Sequence, residues 1–152
     1  MMKQLMRASV TLAALTVAVN VPKLVAAKAS HQLTFFAVMN GGQVVPPSPS
    51  NALGVAFLTF DEATKRLCYS ISYSQLLGAE TEAHLHAAQA GETNAVLYDL
   101  TPLGTPKVSC LGPIKPVEEK FLKRGRLYIN IHTDLYVAGE IRGQVLPVPA
   151  AR

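Results

Sequence analysis

Apolar and polar residues alternate along most of the chain, as they do in β-strands that bury one face. The alternation is clearest from residue 67 to residue 74, where Leu67, Tyr69, Ile71 and Tyr73 are expected to face the core. Strand patterns also occupy residues 32–39, 53–60, 82–88, 95–100, 126–133 and 139–145. Turns rather than helices join these segments, so the pattern predicts an all-β antiparallel sandwich or barrel of about seven strands.

Proline and glycine interrupt this pattern in two places. Residues 44–51 contain three prolines, which remove backbone donors, and they are predicted to form an extended connecting loop. Residues 101–116 contain four prolines and two glycines and are predicted to form a long loop without strand or helix. One short helix is predicted over residues 117–124, with acidic residues in its first turn and Gly125 at its end.

The amino terminus has the pattern of an export signal. Lys3 and Arg7 precede an apolar run over residues 8–19, and Val25-Ala26-Ala27 supplies small residues for cleavage. The run is shorter than the roughly 20 residues that span a bilayer, so no membrane span is expected after cleavage. The sequence thus predicts a signal peptide over 1–27, a single domain over 28–152, and a location in the periplasm, cell envelope or extracellular space.

Charge argues against nucleic acid as a partner. Without Lys3, Arg7 and Lys23, 11 basic residues face 10 acidic ones, a net charge of +1. Four basic residues cluster between 120 and 126, but Glu118 and Glu119 lie beside them, so a solvated surface is the expected reading. A stripe of one sign that would neutralise phosphates is absent from the sequence.

Two cysteines, Cys68 and Cys110, would enter an oxidising compartment, where such a pair tends to form a disulfide. A Cys68–Cys110 disulfide is therefore predicted, and it would stabilise the fold by roughly 3 to 4 kcal/mol. Because Cys68 lies on the outer face of its strand, the bond is expected to fasten the long loop to the sheet. A thiolate metal pair is the alternative, although the sequence has no CxxC motif.

Three histidines lie on polar strand faces. His84 and His86 are two residues apart on one strand, so their side chains point the same way. His132 shares the polar face of a later strand with Tyr128 and Asn130. Imidazole suits copper, zinc, iron and nickel, so the three rings would form a metal site if the two strands pair in the right register. The alternative is that they make structural hydrogen bonds.

Four other polar residues bear on the metal hypothesis. Glu140 and Arg142 share a strand face, which suggests a surface ion pair, or a Glu140 that orients a ligating histidine. Asn130 is the second candidate for a residue that contacts and orients a ligating histidine. His31 lies near the expected mature amino terminus, where an amine and an imidazole can bind copper, or where the terminus is simply disordered.

Four motifs resemble the CHRD domain, the module named for chordin and also found in exported bacterial proteins. They are Val44-Val45-Pro46-Pro47, Ala83-His84-Leu85-His86, Tyr128-Ile129-Asn130-Ile131-His132-Thr133 and Gly139-Glu140-Ile141-Arg142-Gly143-Gln144. The resemblance covers Leu33 to Val145 and implies that His84, His86 and His132 occupy motif positions. Residues 89–93 depart from the more glycine-rich turn that family members often have.

An HxH strand in a small exported sandwich with one disulfide is also similar to copper-zinc superoxide dismutase. The expected fold is therefore similar to that enzyme or to an immunoglobulin domain. Because the zinc-binding loop of the dismutase has no recognisable counterpart in this sequence, the likeness implies a site for copper alone. The leading expectation is an exported CHRD-domain protein that holds copper, or alternatively zinc, in copper handling or oxidative-stress defence. The alternatives are a non-catalytic envelope module with structural histidines and a copper-only dismutase-like enzyme. No catalytic residue and no protein partner is predicted.

Overall fold

The computed structural model describes residues 31–149, so the predicted signal peptide and the exact domain limits lie outside the described residues. The elements in chain order are β1 Gln32–Asn40, a 3-10 turn Gly41–Gln43, β2 Leu53–Asp61, β3 Arg66–Ser74, β4 Glu80–Ala87, β5 Val96–Asp99, β6 Lys107–Leu111, α1 Pro116–Lys123, β7 Leu127–Thr133 and β8 Ile141–Pro147.

The strands form a single antiparallel sheet in the order β5-β4-β7-β8-β1-β2-β3-β6, curled into a nearly closed barrel. The predicted all-β antiparallel class with one short helix is confirmed, including the hairpin of β4 and β5 and the pairing of β7 with β8. The described part of the chain has eight strands. The sequence predicted about seven strands, one fewer than the described residues form.

The additional strand is β6, Lys107–Leu111, which lies within the segment predicted to be an irregular loop. Its five residues pair with β3, with Cys110 directly opposite Cys68. Pro106 and Pro113 flank the strand without entering it, so the backbone donors needed for pairing are present. β6 is a strand because it pairs with β3. Five residues between prolines are too few for their alternation to predict a strand.

The core fills the inside of the barrel and is built from one face of each strand. The residues that project inward are almost fully buried, and roughly 1.5–3 kcal/mol accompanies full burial of each large apolar side chain. They include Phe35, Met39, Leu58, Phe60, Ile71, Leu85, Ile129, Ile131, Ile141 and Val145. Because Leu85 and Ile129 point inward, their neighbours in β4 and β7 must point outward. This alternation places the histidines on the outer face.

A buried ion pair links β6, at one end of the sheet order, to β4, the strand next to the other end. Lys107 of β6 is fully buried and its ammonium contacts the carboxylate of Glu80 in β4. The hydroxyl of Tyr73 in β3 donates to the same carboxylate, and burial raises the pKa of Tyr73 above its ordinary value. Removing either partner would leave a buried charge uncompensated, so this contact holds the barrel closed at this point.

The helix α1 agrees with its prediction to within one residue. Pro116 opens it, and the Glu118 carboxylate accepts from the backbone N–H of Lys115, which caps the first turn. Gly125, with φ of +65°, follows the helix in the left-handed region that favours glycine. Leu122 is fully buried against the barrel. None of the helices among the described residues has the length and apolarity needed to cross a bilayer.

The predicted disulfide between Cys68 and Cys110 is present. The two residues are cross-strand partners in β3 and β6. The bond therefore links two strands of the sheet, whereas the expectation was a loop fastened over it.

Candidate metal centre

The register between β4 and β7 brings the three histidines together on the outer face of the barrel. The two strands are antiparallel neighbours, with His84 opposite Asn130 and His86 opposite Tyr128. His132 is one diagonal step from His84, within the distance that side chains on one sheet face can bridge. The core residues fix this register, because a slip by one residue would turn every histidine into the barrel interior.

One ring nitrogen from each of His84, His86 and His132 lies within 4.8 Å of the others. The closest pair is His84 Nδ1 and His132 Nε2, which are 3.1 Å apart. The ring centroid of His84 is 4.9 Å from that of His132 and 5.6 Å from that of His86. The structure thus gathers all three predicted residues into one cluster.

Two of the rings are oriented by backbone carbonyls from the neighbouring loops. His86 Nδ1 donates to the Asn94 carbonyl at 2.8 Å, and His132 Nδ1 donates to the Val137 carbonyl at 2.9 Å. A carbonyl oxygen only accepts, so both Nδ1 atoms carry the hydrogen and both Nε2 atoms keep a lone pair. In both rings the atom that belongs to the cluster is therefore the one able to bind a cation.

Two exposed carboxylates lie near the outer nitrogen of His84. Its Nε2 lies 3.4 Å from Asp99 Oδ1 and 3.8 Å from Glu82 Oε2, on exposed side chains. The inner nitrogen, Nδ1, donates to His132 Nε2, so a metal ion bound there would replace this hydrogen. A carboxylate or carbonyl behind each imidazole is the arrangement that commonly supports metal-bound histidines.

The three histidines of the cluster are only 7–9% exposed, and burial shifts the pKa of two of them. Burial lowers the pKa of His86, an effect that the Asn94 carbonyl opposes and the neighbouring His84 reinforces. Burial also lowers the pKa of His132, with the Val137 carbonyl opposing it. Both rings are thus neutral at pH 7, which is the form that binds metal.

His86 Nε2 is buried and has no hydrogen-bond partner among residues 31–149. Buried polar atoms in native proteins are nearly always satisfied, so an unpartnered ring nitrogen requires an explanation. Its ring belongs to the three-histidine cluster, and a bound cation would satisfy this nitrogen.

A stack of three side chains borders the cluster, and the sequence did not predict it. The Tyr128 ring is parallel to that of His86, with centroids 4.6 Å apart and planes at 2°. The Arg142 guanidinium carbon lies 3.6 Å from the Tyr128 centroid. Cation–π stacking of this kind favours a charge held close to an aromatic face. The contact spans β4, β7 and β8, and only the sheet order reveals it.

The prediction that Glu140 and Arg142 form an ion pair on the surface is wrong, because both residues are buried. Glu140 accepts from the hydroxyls of Ser50 and Thr133 and from the backbone of Leu77 and Gly78, and so binds three segments together. Loops that cover the end of β8 cause this burial. In the described part of the chain, no hydrogen bond joins the Glu140 carboxylate to a histidine of the cluster.

Asn130 and His31 lie apart from the ligand atoms. The Asn130 amide donates to the Ala138 carbonyl at 3.0 Å, which steadies the loop that also holds His132. His31 is exposed and its Nδ1 lies 2.6 Å from the Glu62 carboxylate. Of the four histidines, His31 alone stands outside the cluster.

The region described is an all-β barrel domain that carries three convergent imidazoles on its outer face. The family model for the CHRD domain matches residues 35–145, and the chain belongs to this family. The resemblance carried by the four sequence motifs is thereby confirmed. No curated protein and no solved structure matches the chain significantly.

Proposed function

We propose that this protein is an exported copper-binding CHRD-domain protein that acts in copper handling or oxidative-stress defence. The supporting observation is the cluster of His84, His86 and His132, in which one nitrogen of each ring faces the others while the second is held from behind. Export is supported by the amino-terminal sequence pattern and by the disulfide, which is typical of oxidising compartments.

The spacing of the closest pair suits two ligands of one ion. Two nitrogens each about 2.0–2.1 Å from a metal are about 3.3 Å apart at a tetrahedral angle and about 2.9 Å apart at a right angle. His84 Nδ1 and His132 Nε2, at 3.1 Å, fall between these values. A small rotation of the His86 ring would complete a three-nitrogen set.

Copper is favoured over the other first-row metals by the donor set. Imidazole nitrogens bind divalent copper more tightly than zinc, and an ion outside the cytosol is not buffered by cytosolic thiols. Both cysteines are committed to the disulfide, so thiolates do not compete for the ion. Zinc is the alternative ion, and three protein ligands with an open position also suit it.

The test is a copper titration of the exported protein. Wild type is expected to bind one ion, and the triple variant His84→Ala/His86→Ala/His132→Ala is expected to lose that binding. His31→Ala is the matched control, because it removes the one histidine outside the cluster. Circular dichroism confirms that each variant folds. Equal copper binding by the wild type and the triple variant would end the proposal.

A copper-only dismutase is a second candidate, supported by the open coordination that three protein nitrogens would leave for a small molecule. Copper-loaded wild type would then consume superoxide faster than the triple variant after both are treated with the same copper and freed of unbound ion. A protein that only stores copper would give equal rates in the two samples.

A further inference from the structure

Five large apolar side chains form a continuous exposed surface on one outer side of the barrel. Each is between 44% and 66% exposed. These residues, which we call the apolar face, are Val38 of β1, Leu53, Val55 and Phe57 of β2, and Val108 of β6. Strand register makes them neighbours, because Val38 lies opposite Val55, and Phe57 and Val108 lie on either side of Ser70 in β3. A contiguous exposed apolar surface marks an interaction site, whereas single exposed apolar residues do not.

Uncharged residues surround the apolar face. The outward positions of β3 beside it are Ser70, Ser72 and Ser74. The charged residues of β2 and β3 are Asp61 and Arg66, which lie opposite each other at the far end of both strands. Interfaces between two copies of one chain are more apolar than other interfaces, and their centres are poor in charge. An uncharged surface also meets its own copy without like-charge repulsion, so its composition favours a second copy of this chain.

The apolar face carries both a projecting ring and a groove. The Phe57 ring projects from β2, whereas the neighbouring Ser70 in β3 is small and exposed. Val108 flanks Ser70 on its other side, and a cavity of about 300 Å³ is lined by all three residues. In a two-fold symmetric contact every interaction occurs twice, so the ring of each copy can enter the groove of the other. The surface is thus complementary to itself.

The apolar face is large enough for a dimer of modest affinity. The four strands β1, β2, β3 and β6, taken over the length from Leu53 to Thr59, span roughly 20 Å by 24 Å, or roughly 480 Å² in projection. The accessible area exceeds this projection because side chains stand out from the sheet. Specific interfaces bury about 600–1,000 Å² on each partner. A contact through this face lies at the small end of that range, where a dissociation constant in the micromolar range is expected.

We propose that the apolar face joins two copies of this chain into a two-fold symmetric dimer, with the Phe57 ring of each copy placed over the serine groove of the other. The strands β2 and β3 lie four positions away from β4 and β7 in the eight-strand order, and so on the opposite side of the nearly closed barrel. The dimer therefore leaves both histidine clusters accessible. Its formation does not depend on copper, and metal-free protein tests it without interference from the ion.

The experiment is sedimentation velocity of the metal-free exported protein over about 1 μM to about 1 mM. Wild type is expected to change from monomer to dimer within this range. Phe57→Asp places a charge at the centre of the contact and is expected to weaken dimerisation at least about tenfold. Leu135→Asp is the matched control, because Leu135 is 65% exposed and lies outside the apolar face, and it should dimerise like wild type. Circular dichroism confirms that each variant folds.

Ser70→Arg keeps every apolar residue of the face and fills the groove from an exposed position, so it tests the contact even if Phe57→Asp does not fold. It is also expected to weaken dimerisation at least about tenfold. Wild type that stays monomeric throughout, or that forms assemblies larger than a dimer, would overturn the proposal. Unchanged dimerisation in folded Phe57→Asp or Ser70→Arg, or an equal loss in Leu135→Asp, would do the same. Monomeric wild type that floats with phosphatidylcholine vesicles would assign the face to a lipid surface instead.

Discussion

His84 Nδ1 and His132 Nε2 lie 3.1 Å apart although 48 residues separate them in the chain. The Val137 carbonyl leaves a lone pair on His132 Nε2, which accepts a hydrogen bond from His84 Nδ1. A metal cation bound here would replace the hydrogen that the two nitrogens share. The cluster is therefore a place where a cation changes the energy of the fold.

Copper is expected to raise the melting temperature of the wild type. A ligand that binds only the native state stabilises it by about 2.7 kcal/mol at 100 times its dissociation constant. Differential scanning calorimetry with and without copper measures the effect. The variant that lacks His84, His86 and His132 should melt at the same temperature in both samples. Identical melting of metal-free and copper-loaded wild type would favour structural histidines instead.

Asp99→Asn is expected to weaken copper binding about tenfold, as is usual when a group behind a ligating histidine is altered. Asp99 is mostly exposed and its carboxylate lies 3.4 Å from His84 Nε2, so the free energy of unfolding should change little. Competition titration against a chelator of known affinity measures the change. Glu92→Gln removes an exposed acid from the turn before β5 and serves as the control. Equal losses in the two variants would indicate a general charge effect.

Glu140→Gln is expected to destabilise the protein by roughly 2–3 kcal/mol at pH 7, because hydrogen bonds to a buried carboxylate are stronger than those to an amide. Burial opposes ionisation of Glu140, but the donors from Leu77, Ser50, Thr133 and Gly78 outweigh it and lower its pKa. Because the pKa of Glu140 is lower in the folded than in the unfolded state, the ionised carboxylate stabilises the fold. This contribution is fully present above the ordinary pKa of 4.5 and is lost as the pH falls through the folded-state pKa.

The difference in unfolding free energy between Glu140→Gln and wild type should thus shrink toward acid pH. Urea denaturation of both proteins between pH 3 and 7 measures it. A difference that stays constant over this range would show that the carboxylate charge contributes nothing.

The double variant Cys68→Ala/Cys110→Ala is expected to lose about 4 kcal/mol of stability, the chain-entropy value for a closed loop of this length. The two cysteines are 42 positions apart. The disulfide joins β3 to β6, whereas the histidines lie on β4 and β7, so copper affinity should not change once the variant is folded. Urea denaturation and copper titration of the same samples separate the two effects. Loss of copper binding in folded variant would show that the disulfide shapes the metal centre.

Alternation along the strands predicted the all-β fold and the placement of His84, His86 and His132 on polar strand faces, because one rule governs both. Leu85 and Ile129 are cross-strand partners that point inward, and this pairing puts His84 and His132 on the same outer surface. The sequence could not establish that β4 and β7 are neighbours. That adjacency depends on sheet order, which involves contacts between residues far apart in the chain.

Burial of Glu140 and Arg142 was beyond prediction for a related reason. Polar residues near the end of a strand are usually exposed. Here residues from three parts of the chain cover Glu140, while Arg142 packs on Tyr128 and donates to the Gln89 carbonyl. The stack of Arg142, Tyr128 and His86 likewise requires β8, β7 and β4 to lie side by side. Periodicity predicts which face of a strand a side chain occupies, but it does not predict which other segments of the chain cover that face.

The position of β6 at one end of the sheet gives the disulfide a second consequence. An edge strand presents unpaired backbone groups that can recruit another chain, and Val108 on β6 is 66% exposed. The bond to Cys68 keeps this short strand paired with β3. Reduction would let β6 detach and uncover the longer β3 edge beneath it, so loss of the disulfide would open a route to intermolecular β-pairing and aggregation.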